Sequence, residues 1–148
     1  MMKKMLIFFI SVIPVATIGQ SKSDSWKISL DSKVIVNLAS EKKSDSAIIY
    51  LNKLQLSQAN SLIIEFTEAQ QSKDWNRIFT LYNGQKELIH FDFPQSSGIY
   101  ELPVQKLAPR VHDERNLFLY TYSLPNDKNL AATVRVRRIL ICRIIYKD

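Results

Sequence analysis

Four side chains in this sequence have the types and spacing to hold a polar ligand: Trp75, Arg77, His90 and Asp92. They lie in "WNRIFTLYNGQKELIHFDF", two alternating apolar runs on either side of Asn83-Gly84. Asn-Gly favours a two-residue type I′ turn, because both residues accept positive φ at low cost. Such a turn pairs Tyr82 with Gln85, Ile78 with Ile89 and Phe79 with Leu88. Arg77 then faces His90, and Trp75 faces Asp92. The four would share one sheet face, which could grip a polar ligand or simply stand in water.

Other chemistries are thinly supplied. His90, Asp92 and His112 have the composition of an open three-ligand zinc site. Nothing in the sequence brings His112 to the other two, so no metal or cofactor is assigned. The lone cysteine, Cys142, lies in an apolar run, where burial opposes the thiolate that a nucleophile needs. There is no Gly-x-Ser-x-Gly elbow and no phosphate-binding glycine loop. Carboxylate pairs such as Asp92 with Glu65, or Asp113 with Glu114, would suit glycoside hydrolysis only across a cleft of about 5–10 Å. No catalytic residue is assigned.

Aromatic side chains offer a second route to binding. Phe118, Tyr120 and Tyr122 alternate along one strand and could stack on sugar rings, although a stripe at strand spacing is more often core. The closing stretch "LAATVRVRRILICRIIYKD" suggests phosphate contacts through Arg135, Arg137 and Arg143. Isoleucines interrupt these arginines, so their footprint is thin for an affinity that grows with neutralised charge. They read instead as the wet side of a strand, and no nucleic-acid partner is expected.

The elements that must position these groups are strands. Trp26, Ile28 and Leu30 alternate, as do Val34, Val36 and Leu38, so Leu30 facing Val34 across "DSK" puts every apolar residue on one face. "AIIYL", "SLIIEFT", the Asn-Gly hairpin, "IYELPV" and "NLFLYTYSL" continue the pattern. Pro103 marks "IYELPV" as an edge strand; "NLFLYTYSL", apolar on both faces, is central. "QKLAPRVHDER" reads as a loop with a short helical turn. The closing stretch reads as one long strand from Val134, with a bulge at Arg137–Arg138. About eight or nine short strands without a long helix predict a single antiparallel β-sandwich, with a jelly roll among the arrangements permitted.

The N-terminus supplies the address. "MMKKM" followed by the uncharged run Leu6 to Gly19 reads as a secretory signal peptide over residues 1–19. The run is short for a bilayer span of about 20 residues. Cleavage after Gly19 leaves 148 − 19 = 129 residues, a β-sandwich domain over 20–148, with charge 18 − 14 = +4 once Lys3 and Lys4 are removed. One thiol excludes an internal disulfide, so stability rests on the core. The expectation is an exported, periplasmic or extracellular, non-catalytic β-sandwich that binds a glycan or another envelope protein through Trp75, Arg77, His90 and Asp92. The alternative is a small carboxylate-dependent hydrolase.

Overall fold

The computed structural model describes residues 23–38, 47–70 and 72–148. The signal peptide expected over 1–19 lies outside them. Among the described residues nine strands form two sheets. The smaller runs β2 (Lys33–Leu38), β1 (Ser25–Leu30), β4 (Ser61–Thr67), β7 (Gly98–Pro103). The larger runs β3 (Ile48–Asn52), β9 (Ile139–Lys147), β8 (Asn116–Pro125), β5 (Trp75–Tyr82), β6 (Glu87–Phe93). The molecule is the expected all-β sandwich. The strand carrying Pro103 is an edge and β8 is central. One pairing departs from the antiparallel expectation: β3 runs parallel to β9.

Alternation decides what is dry. Ile28, Ile64 and Phe66 from the smaller sheet meet Phe79, Leu117, Leu119 and Ile144 from the larger, all buried. Removing apolar surface from water at about 25 cal/mol per Å² drives this contact.

Three bulges alter the expected registers, because one extra residue reverses every side chain beyond it. In the first hairpin Leu30 pairs with Lys33, not Val34, across a turn in which Asp31 takes positive φ (50°). Ile35 is then extra, and Ile28 still meets Val36. The Asp31 carboxylate also accepts from the backbone N–H groups of Asn60 and Ser61, at 3.0 and 2.9 Å.

The Asn83-Gly84 hairpin departs in the same way. Asn83 Oδ1 accepts from the backbone N–H groups of Gln85 and Lys86, 3.1 Å each, and Gly84 takes φ of 94°. This side-chain bond widens the connection. Tyr82 pairs with Glu87, Leu88 is extra, and Arg77 faces Phe93 instead of His90.

The third bulge is in β9. Leu119 pairs with Cys142 and Tyr120 with Leu140, so Ile141 is extra. Residues 139 and 141 point inward before the bulge, and 142, 144 and 146 after it. The strand begins at Ile139, five residues later than the alternation from Val134 suggested. The extra residue leaves its carbonyl outside the ladder, and Trp26 Nε1 from the opposite sheet donates to it at 3.1 Å.

The segment expected to be mostly loop is the helix α2 (Val104–Glu114), with Pro109 inside it. Val104, Leu107 and Val111 form its buried stripe, and Arg115, at φ of 60°, closes it. Tertiary burial of that stripe outweighs the proline. Two short helices, α1 (Lys53–Gln58) and α3 (Lys128–Ala131), are capped by Asn52 and Asp127. Among the described residues no helix is long and apolar enough to cross a membrane.

Candidate functional site

The sheet separates the four residues first singled out. Strand parity puts Trp75 and Arg77 on the inner side of β5, with Phe79 and Leu81. His90 and Asp92 lie on the outer face of β6, each side chain 60% exposed. Arg77 is 2% exposed and fully engaged. Its Nη2 pairs with the Glu68 carboxylate, its Nε donates to the Ser96 carbonyl at 2.8 Å, and its guanidinium lies 4.3 Å from the Phe66 ring centroid. Burial pulls its pKa below the ordinary value, and Glu68 opposes that pull. Nearby, Tyr100 donates to the Gln95 carbonyl at 2.8 Å, and burial lifts its ionisation to about 12. This cluster ties the two sheets together and is enclosed by them. Trp75 lines a small cavity of about 260 Å³ with Asp74 and Gln95 at the sandwich end.

The proposed metal and carboxylate pairings are also distributed. His112 sits on α2 beside Asp113 and the Tyr146 ring. Among the described residues no group of His, Cys, Asp and Glu is placed to hold a metal ion. Glu65 pairs with Lys27 at 2.5 Å on the outer face of the smaller sheet, whereas Asp92 is on the outer face of the larger. The sandwich lies between them, so they cannot flank one bond. Glu114 accepts from Asn83 Nδ2 at 3.1 Å. Cys142 is fully buried, and burial pushes its thiol pKa up.

A different cluster forms on the outer face of the larger sheet. In β8, Leu117, Leu119 and Thr121 fill the core, so Phe118, Tyr120 and Tyr122 are turned outward and half-buried. The expectation that this aromatic stripe is core is corrected: the apolar residues of the alternate parity took that role. The registers set Tyr82 beside Phe118, Thr80 beside Tyr120, and Ile78 beside Tyr122. Tyr82 meets Tyr120 edge to face at 5.7 Å, and Phe118 stacks near Tyr120 at 6.5 Å.

Polar groups border the rings. Tyr82 donates to Glu87 Oε2 at 3.1 Å. His90 lies 3.1 Å from Glu87 and 3.8 Å from Asp92. Arg138 crosses the rings, its guanidinium 5.2 Å from Tyr82 and 5.8 Å from Tyr122. Farther along, Arg143 lies over Phe118 and Lys147 over Tyr50. Burial raises the pKa of Tyr82, aided by Glu87 and opposed by Arg138, and burial also raises that of Tyr122. Both phenols therefore stay neutral hydrogen-bond donors at neutral pH. Beneath them Thr80 is fully buried, and its hydroxyl has no hydrogen-bond partner among the described residues.

Alternation in "NLFLYTYSL" already linked Phe118, Tyr120 and Tyr122. Tyr82 and Arg138 come from distant segments and join them only through pairing. The chain matches no protein-family model and no curated protein.

Proposed function

We propose that this protein is an exported, non-catalytic β-sandwich module that binds a glycan on the outer face of its larger sheet. The carrying observation is the group of four outward rings, Tyr82, Phe118, Tyr120 and Tyr122, bordered on the same face by Glu87, Asp92 and Arg138. Sugar rings present C–H faces that pack on aromatic carbon, and hydroxyls that donate to carboxylates and exchange hydrogen bonds with phenols. A rigid strand scaffold holds the rings in place, which lowers the ordering cost of binding. The other ligand class open from the sequence, an envelope protein, favours an apolar interface centre depleted of charge. Here the carboxylates of Glu87 and Asp92 border the rings, and acidic side chains are depleted at such centres. Export is supported by the basic start and the uncharged run Leu6 to Gly19. The non-catalytic reading is supported by the separation of the Glu65 and Asp92 carboxylates, which lie on opposite faces of the sandwich.

The experiment is a glycan array with the 20–148 protein, followed by titration of any hit. Tyr120→Ala should weaken binding at least tenfold, while Lys27→Gln on the opposite face should leave it unchanged. Equal effects from both variants, with both proteins folded by circular dichroism, would refute the site. Binding to no glycan would refute the function.

A further inference from the structure

The pairing of charges indicates which glycan. Several cations of this protein have a carboxylate within ion-pair distance: Arg77 has Glu68, Lys27 has Glu65, and Arg115 has Asp148 at 2.5 Å. Arg138 is exposed and has no carboxylate within 4.0 Å among the described residues. Its guanidinium lies near two rings, Tyr82 and Tyr122, and within side-chain hydrogen-bond reach of the Tyr82 hydroxyl, contacts that restrain the side chain while engaging only part of its N–H donor set. Glu87 stands close enough to act on both tyrosines, and Asp92 on Tyr122. The face thus combines hydrogen-bond acceptors, a cation lacking an anion, and aromatic carbon.

A neutral sugar would use the acceptors and the rings and leave Arg138 unmatched. A nucleic acid would match Arg138 but bring its phosphates toward Glu87 and Asp92. An acidic sugar supplies hydroxyl donors for the carboxylates and an anion for the guanidinium, which binds a carboxylate through two parallel hydrogen bonds. Building on the glycan-binding reading, and resting on it, we infer that the ligand is an acidic glycan whose uronate carboxylate pairs with Arg138.

Uronic-acid oligosaccharides and their methyl esters test this, because the two forms differ mainly in charge. The protein should bind the free acid at least tenfold more tightly than the ester at low salt. Arg138→Gln should abolish that preference while keeping the ester affinity. Equal affinity for acid and ester would overturn the acidic assignment and leave glycan binding standing. A preference that survives Arg138→Gln would overturn the role of Arg138. Tighter binding of a single-stranded oligouridylate than of any saccharide would overturn both, as would binding of neither acid nor ester while the array also shows no hit.

Discussion

Arg77 and Glu68 illustrate how a buried ion pair can resemble a ligand site in a sequence. An arginine at an alternating strand position reads as a surface cation, since arginine is rarely buried unless paired. Its partner is nine residues away, in a stretch with the composition of a loop. Taking two charges out of water costs several kcal/mol per ion, and their mutual contact offsets it together with the hydrogen bonds from Arg77 to the Ser96 carbonyl and from the Ser72 N–H to Glu68. Glu68→Ala strands the guanidinium between the sheets and should cost about 3–5 kcal/mol in urea denaturation. Arg77→Met combined with Glu68→Leu removes both charges and should recover most of that loss. If the double variant is no more stable than Glu68→Ala, the single-variant loss does not come from a stranded charge. Neither change should alter ligand affinity on the outer face, because Arg77 points away from it.

At the scale of elements, α2 carries an avoidable cost. Pro109 is exposed and inside the helix, where it removes one backbone donor and crowds the carbonyl of Gln105. Alanine restores both. Starting from about 3 kcal/mol for an interior proline and subtracting about 0.4–1 kcal/mol for the freer unfolded chain, Pro109→Ala should stabilise the protein by about 2 kcal/mol. A lower melting temperature for the variant would show that the kinked path of α2 is required by its packing. The same proline made the segment read as a loop, and what that reading lacked was the weight of Val104, Leu107 and Val111 buried together. Strands were legible because alternation survives in Ile28, Ile64, Leu117 and Leu119. Bulges were not: Ile35, Leu88 and Ile141 are ordinary strand residues, and only pairing makes them extra. That explains why the four-residue site dispersed, since a single added residue sent His90 and Asp92 to the face opposite Arg77.

Across the whole molecule, the bulge at Ile141 links the core to the binding face. Parity before the bulge puts odd residues inward, which leaves Leu140 and the preceding Arg138 on the outer side. Without the extra residue, the inward stripe of Cys142, Ile144 and Tyr146 would carry Leu140 and Arg138 into the core. Burying that guanidinium alone is prohibitive. The bulge therefore has to be stable, and Trp26 supplies its anchor from the opposite sheet: the indole N–H reaches the Ile141 carbonyl while the ring stacks near Phe66 at 6.0 Å. Trp26→Phe keeps an aromatic ring but leaves that carbonyl buried and without its donor. The unmade bond costs about 1–3 kcal/mol, a large share of a domain stability of roughly 5–15 kcal/mol. Because the bond joins two sheets that unfold as one unit, the loss should appear as a lower urea midpoint with an unchanged slope. A decreased slope would instead mean that the native state had loosened or that the sheets no longer melt together. An unchanged midpoint would mean that the bulge holds without its cross-sheet anchor.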